Sequence, residues 1–579
     1  MAINVSDFRR RDRTPTTPII RSQRSFCAFV VHRYTKVDIT KLLPINLNKQ
    51  NFLAGSARST DGNVESRQPL VVRQDITRCV ITNNKDGVGG NFSISIKRGK
   101  QIVNGSNTKD NVNYLQAIHP GDWIMIYMKK SGEITDADLN SIAPSSGLKF
   151  LGIVENVRYV ELDDPSSAAP SLEFVITGRS FAKVFDTNLF FNPVANQANI
   201  QSVLGAKFLS DASKTVNALS SNTVDTVIKK LVQFYLKGSG ATFSEANQNW
   251  YVPDTLARSF KTNQKSKTIS RAFVDMLDTS RIGIQKYRNG QFLQAASMQS
   301  QGLALIKSLP SSGTIWSVLQ FLQNAAINEM YTELVNVNGK LKPSLVLRQV
   351  PFSNKKAQET NVYTAHTKYT RTTAPDLSDS EKTFLVDLPR TEIISADIRQ
   401  KNVGKSDHER INYVMVVPRI DSNTTDALFV ASSNVPSIQR HGIRIFQAQT
   451  QYVLDAKGSQ NKQAITRYCE RAVQLIQDWF FLVHNLYNGT IIIDGRDDFI
   501  EVGTNLFIKD IRQLYHIEGY THSYEVTSNS QTIYTTELRV SRGQVFNPDN
   551  QLSKFIGISN KPEEPTTIVT SFVQKSKEQ

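Results

Sequence analysis

Cysteine is scarce in this chain of 579 residues: Cys27, Cys79 and Cys469 are odd in number and far apart. They cannot build a disulfide framework, and no Cys-x-x-Cys pair offers a metal site. A reducing cytoplasm is the expected setting for synthesis. Long hydrophobic runs are missing too. The nearest, Trp479–Tyr487, is interrupted by His484 and Asn485. It falls well short of the roughly 20 apolar residues of a membrane helix, so no membrane insertion is expected. The chain begins Met-Ala-Ile-Asn and then turns arginine-rich, without the apolar centre of a secretion signal. Its 29 Gly and 20 Pro follow no strict period, which excludes a collagen-like chain. Catalytic text is equally thin. There is no Gly-x-Ser-x-Gly elbow, no His-Glu-x-x-His and no Gly-x-x-x-x-Gly-Lys-[Ser/Thr] phosphate loop. No catalytic residue, cofactor or metal is assigned.

Apolar side chains are plentiful. Apolar residues make up 39% of the chain and charged residues 21%, a folded composition. With 29 Phe, 18 Tyr and 4 Trp, several cores can be filled, and the length suits about four domains. Net charge is +16, unevenly spread. Residues 1–100 hold 18 Lys and Arg against 7 Asp and Glu, so most of the excess lies there. A basic block of this kind suits an anionic partner, either nucleic acid or an acidic protein face.

Residues 1–24 read as a basic arm with Arg9, Arg10, Arg11, Arg13, Arg21 and Arg24 as a candidate interaction surface. A frayed terminus is the plain alternative. Strand text follows at Phe26–Val31 and Asn91–Ile96, then at His119–Tyr127, where a turn feeds a buried strand, and at Phe150–Val160 and Leu172–Thr177, and predicts a first small β-barrel over 25–185. Helical spacing then takes over. Val224, Val227, Ile228, Leu231, Val232 and Tyr235 share one helix face, and helices are expected at Ser270–Leu277 and Thr314–Val335. Residues 186–340 therefore form a helical or mixed domain. A β-rich connecting domain spans 341–462, with strands at Ser344–Gln349, Thr383–Leu388 and Asn412–Val417. A long helix over Gln463–Leu486 leads into strands at Thr490–Asp494, Leu506–Lys509, Leu514–Tyr524 and Ile533–Ser541, a second barrel within 463–558. Residues 559–579 are a polar tail. The fold class is mixed, β-rich α+β, with two small related barrels around a helical or mixed region.

Few polar clusters invite chemistry. His516 and His522, six apart on one candidate strand, should share a face and could hold a metal. Without a carboxylate or thiol nearby, a packed or surface pair is the better reading. Asp494-Gly495-Arg496-Asp497-Asp498 lacks the spacing of a calcium loop and reads as a solvated turn, as do Asp163-Asp164 beside Glu161. Gly87-Val88-Gly89-Gly90 and Gly238-Ser239-Gly240 read as glycine turns, and Asn488-Gly489-Thr490 likewise. A faint internal echo aligns residues 150–181 with 514–545 at an offset of 364, matching Ile153, Glu161, Ser166 and Glu173 to Ile517, Glu525, Ser530 and Glu537. It predicts a duplicated unit with Phe174, Ile176, Leu538 and Val540 facing a core, and Glu173 and Glu537 facing out.

Two long stretches resemble the central baseplate hub protein of contractile-tailed bacteriophages, a family related to the base of the type VI secretion spike. The first is Gly313-Thr314-Ile315-Trp316-Ser317-Val318-Leu319, Asn328-Glu329-Met330-Tyr331 and Lys342-Pro343-Ser344-Leu345-Val346-Leu347-Arg348-Gln349-Val350-Pro351-Phe352. The second runs from the Trp479 helix through Gly489-Thr490-Ile491, Asp494-Gly495-Arg496, Ile500-Glu501-Val502-Gly503, Tyr515-His516-Ile517-Glu518-Gly519 and His522-Ser523-Tyr524 to Arg539-Val540-Ser541-Arg542-Gly543-Gln544. Gly121-Asp122 and Ile176-Thr177-Gly178-Arg179 resemble the family's first barrel. The resemblance covers roughly residues 110–545.

The resemblance implies a structural, non-enzymatic homotrimer in the virion tail baseplate, assembled in the host cytoplasm. Its implied partners are the central spike protein, the tail tube initiator protein and other baseplate proteins, with transient passage of DNA through a channel. Two barrels per chain would make three-fold spike symmetry meet the pseudo-six-fold tail tube. Two other readings compete. A tail-associated cell-wall-degrading enzyme would need two facing carboxylates in a cleft, about 5 to 9 Å apart. A nucleic-acid-binding protein would use the basic N-terminal region, although no dense interleaving of basic and aromatic residues is present there.

Overall fold

Strands dominate because apolar and polar side chains alternate along them. In the computed structural model the described residues are 24–33, 69–73, 75–97, 114–162, 171–186, 188–190, 252–260, 273–282, 284–285, 312–323, 328–350, 364–365, 389–420, 430–454, 483–527, 531–545 and 570–571, with a few single positions between them. The first strands are β1 Phe26–His32, β2 Leu70–Val72, β3 Ile76–Asn84, β4 Asn91–Lys97, β5 Trp123–Lys129, β6 Leu148–Leu162, β7 Ser171–Ser180 and β8 Asn188–Phe190. Next come β9 Ile284–Gln285, β10 Ser312–Thr314, β11 Asn328–Val337, β12 Lys340–Gln349, β13 Thr364–Ala365, β14 Arg390–Ile393, β15 Ile398–Gly404 and β16 Tyr413–Ile420. The last are β17 Val430–Ser433, β18 Ile445–Leu454, β19 Tyr487–Asp494, β20 Asn505–Ile508, β21 Gln513–Val526, β22 Thr532–Val545 and β23 Thr570–Ser571.

Thirteen of these strands join in one sheet of order β15-β19-β22-β21-β3-β4-β7-β6-β5-β1-β2, with β20 on β21 and β14 on β20. The β-rich mixed class predicted from the sequence is observed. Closure into two barrels is not: among the described residues the sheet stays open. The two halves fuse instead, because β3 of the N-terminal half pairs antiparallel with β21 of the C-terminal half.

One core serves both halves. Ile94, Ile126, Phe174 and Ile176 from the first pack in the same cluster as Ile491, Ile493, Leu538 and Val540 from the second. All are 5% exposed or less, as alternation predicted for Phe174, Ile176, Leu538 and Val540. Glu537 faces solvent, and Glu173 is half-buried with its carboxylate 3.2 Å from the Thr77 hydroxyl. Burying one Leu or Ile of this kind contributes roughly 1.5–3 kcal/mol. A second core lies on the other face of β1 and β5, where Val30, Trp123, Met125 and Tyr127 meet Phe273, Trp316 and Leu345. Strands β1 and β5 are buried on both faces, so they read as unbroken apolar runs rather than alternating ones.

The helical expectations fare less well. Among the described residues of the predicted 314–335 helix, only Ile315–Gln323 is helical, and Asn328–Val337 is strand β11, paired along its length with β12. Met330 and Leu334 are buried, but from a strand. Asn338 and Gly339, both with positive φ (53° and 77°), make the two-residue turn between β11 and β12. Of Ser270–Leu277, the described part, from Phe273 on, holds one short turn, Phe273–Asp275, rather than an α-helix. Ile228 and Val232, both on the predicted face, are helical and buried, and so is Leu236, which was not assigned to it. The long 463–486 helix gives way to a tight turn at Val483–Asn485, while Val473 and Ile476 are helical and buried. Thr383–Leu388 lies outside the described residues.

Candidate functional site

Each half of the sheet is built from the same five strands in the same chain order: β3, β4, β5, β6, β7 and β15, β19, β20, β21, β22. Small irregularities recur at matching places. A bulge sits at Thr77 in β3 and at Arg399 in β15, next to Ile76 and Ile398. Another sits at Glu155 in β6 and at Glu518 in β21. One extra residue in a ladder is rarely placed by chance, so matched bulges mark a duplicated unit. Before β5, Gly121 (φ 95°) donates its N–H to the Val154 carbonyl at 2.8 Å, and Val154 donates back to Asp122 at 2.9 Å. Before β20, Gly503 (φ 77°) donates to Ile517 at 2.8 Å, and Ile517 donates back to Thr504 at 2.9 Å. One contact differs: β14 runs parallel to β20, whereas β1 runs antiparallel to β5.

These landmarks correct the gapless echo at 364. Glu155 corresponds to Glu518, an offset of 363, and Gly178 to Val540, an offset of 362. A slip of one residue reverses the faces of a strand and a slip of two preserves them. Hence β6 was matched to the wrong face, while the core positions of β7 and β22 still came out right.

The join between the halves carries a buried charge cluster. The Lys85 ammonium lies 2.6 Å from Glu518, 2.9 Å from Glu329 and 3.1 Å from His516 Nε2. Arg348 donates to Glu329 at 2.5 Å and to the Gly503 carbonyl at 2.6 Å. Burial raises the carboxyl of Glu518, but Lys85, His516 and Arg542 outweigh it and hold the group well below the usual range. Glu329 is lowered by the same contest, with Arg348 and Lys85 as the chief cations. Glu333 goes the other way. Burial, helped by the charge of Glu501, pushes it up to about 8, although Asn83 donates to it at 2.8 Å. Hairpin β11–β12 therefore lies across the junction and ties β3 to β21.

A second clasp uses the 494–498 turn. It was expected to be solvated, yet it docks on the first half. Asp497 accepts from the Lys130 N–H and from the Ser131 hydroxyl, both at 2.6 Å. Lys149, a buried bulge residue of β6, donates to the carbonyls of Asp497 and Asp498 at 3.0 and 2.6 Å. Burial pulls its ammonium down to about 7.

His516 and His522 do not share a face, because the Glu518 bulge between them shifts the alternation by one. His516 joins the charge cluster and its Nδ1 meets Asn505 at 3.0 Å, whereas His522 meets Thr536 at 2.9 Å. Among the described residues no group of three or more His, Cys, Asp or Glu is placed to hold a metal. Of the arm, Arg24 is described and is exposed, while Arg9, Arg10, Arg11, Arg13 and Arg21 lie outside the described residues. So do Asp163-Asp164 and Gly238-Ser239-Gly240. Gly89 is a turn residue as expected (φ 70°), and a Cβ there would meet the Ser180 hydroxyl at 2.0 Å.

Residue-level reasoning passed over Lys85, Glu329, Glu333, Arg348, Glu518 and Arg542. The available signal was a charged side chain set in strongly apolar strand text, as in Asn328-Glu329-Met330-Tyr331 and Leu345-Val346-Leu347-Arg348.

No family model and no curated protein matches the chain. Solved structures with a loose likeness include a tail protein from Neisseria meningitidis, at 11% identity and a TM-score of 0.36, over 81% of this chain and 93% of that one. The 43 kDa tail protein of prophage MuSo2 from Shewanella oneidensis has 10% identity and a TM-score of 0.38, over 82% and 95%. Prophage tail protein gp18 from Listeria monocytogenes has 10% identity and a TM-score of 0.31, over 82% and 91%.

Proposed function

We propose that this chain is a structural subunit of a phage tail, the central hub of the baseplate, and that it works as a homotrimeric ring. What supports this reading is the duplicated five-strand unit, joined edge to edge through β3 and β21. Three chains would carry six such units, so a three-fold spike below could meet a pseudo-six-fold tube above. The ring would seat the spike protein, meet the tail tube initiator, touch other baseplate proteins at its rim and leave a channel for DNA. It would belong to the virion and assemble in the host cytoplasm. Sheet edges and loops do such work, rather than a pocket. No catalytic step is proposed, since the buried carboxylates Glu329 and Glu518 are engaged by Lys85 and Arg348.

The native mass of the hub co-purified with its spike tests the reading, with a hub count of three expected. A count not divisible by three rejects it. The arginine arm is proposed to dock on protein, with weak, salt-sensitive DNA binding as a by-product. Deleting residues 1–24 should impair assembly more than DNA retention. Particles that assemble normally without the arm, yet eject DNA abnormally, would reverse that ranking.

A further inference from the structure

The sheet has two incomplete edges among the described residues. Strand β15 pairs with β19 on one side only. The C-terminal half of β6, from Glu155 onward, pairs only with β7, because the ladder with β5 ends where Trp123 faces Ile153. These edges are the counterparts of the two strands already joined inside the chain, since β15 corresponds to β3 and β6 to β21. We infer that β15 of one copy adds antiparallel to the free half of β6 of the next copy, repeating between chains the β3–β21 junction found within the chain. This rests on the ring reading and names the partner at its open edges: a second copy of the same polypeptide.

The register follows from the matched bulges. Within the chain Ile81 faces His522, Val80 faces Ser523 and Cys79 faces Tyr524. Carried across, Val403 faces Tyr159, Asn402 faces Val160 and Lys401 faces Glu161 of the next copy. The chemistry of these pairs fits. Tyr159 is 43% exposed and packs on Phe174, at the rim of the shared core. Val403 is a partly buried extension of the same core. Joined, the two continue the core across the seam, as Ile81 does inside the chain, where it faces His522 and shares the core with Tyr520 two residues before it. Lys401 and Glu161 bring opposite charges directly across the ladder, the favourable case for facing strand residues. A strand edge with unpaired backbone groups is also the natural template for another strand. The contact is head-to-tail, so successive copies turn in one sense and can close a ring.

Disulfide trapping tests the register in the full chain. Directly opposed strand residues have Cα atoms about 4.5–5.5 Å apart, within reach of a disulfide. The double variant Val160→Cys/Asn402→Cys, oxidised and run without reductant, should give covalent dimers and trimers. Each single variant should give neither. The shifted pair Val160→Cys/Gln400→Cys should cross-link on the order of tenfold less. The intrachain pair Val80→Cys/Ser523→Cys checks the template by closing within one chain. A native trimer that gives no cross-link overturns the edge pairing and leaves the ring reading intact. Cross-linking that runs past trimer upholds the pairing and overturns the three-fold reading. Chains that stay monomeric under every condition overturn both.

Discussion

Replacing Lys85 by methionine removes the cation at the junction between the two halves while keeping much of its volume. The ammonium, with a side chain 7% exposed, touches Glu329, Glu518 and His516. Glu329 keeps Arg348 at 2.5 Å, so the stranded charge is mainly Glu518. Breaking a buried pair from one side costs about 3–5 kcal/mol, and the surviving partners put this case near the lower end. With a urea slope of about 3 kcal/mol per molar, the midpoint should fall by roughly 1 M at pH 7. The pH dependence identifies the cause. Glu518 is depressed in the folded chain, so its ionisation stabilises the fold above its unfolded value of about 4.3. That contribution is lost as pH falls through the lowered folded value. Without Lys85 the folded value rises, and the deficit of the variant should shrink as the medium is acidified and the stranded carboxylate takes a proton. A midpoint loss below about 0.3 M at pH 7, or an equal loss at pH 7 and pH 4, would refute the electrostatic account and leave only lost packing.

Leu538→Asp buries a charge in the core shared by both halves, so protease protection should fall in the N-terminal and C-terminal strands together; loss confined to residues 487–545 would contradict a common core. Gly503→Ala and Gly121→Ala both place a side chain at positive φ, costing about 1–2 kcal/mol. At Gly503 the new Cβ also meets the Tyr331 hydroxyl at 2.2 Å, while at Gly121 nothing lies within 4 Å, so melting should show Gly503→Ala as clearly the worse. His32 is buried and its imidazole is lowered to about 3, with Nδ1 2.9 Å from the Thr255 hydroxyl. Its share of the stability should therefore fall by about 1.4 kcal/mol per pH unit as pH drops from about 6.5 toward 3, and His32→Asn should lessen the acid slope by that share in titrations followed by fluorescence, leaving the part that His516 and His522, also lowered by burial, supply.

Local text was enough for the strands whose faces differ. The alternation of Asn91–Lys97 and the buried set Phe174, Ile176, Leu538 and Val540 follow from side chains that point to opposite sides of an extended backbone. The β11–β12 hairpin went unread: the apolar spacing of 314–335 fits a helix, and the turn signal Asn338-Gly339 was passed over. Tertiary structure alone decided what those strands pair with. Strand β3 meets β21 more than 430 residues further along the chain, and no local propensity encodes a partner at that distance. It alone decided the bulges too. One extra residue at Glu518 leaves no mark on composition, yet it turns His516 and His522 to opposite faces and moves the true internal repeat off the gapless offset. The charge cluster at Lys85 is of the same kind. Its members come from β11, β12, β21, β22 and the turn after β3, and each is an ordinary charged residue until the fold takes it out of water and sets it against the others.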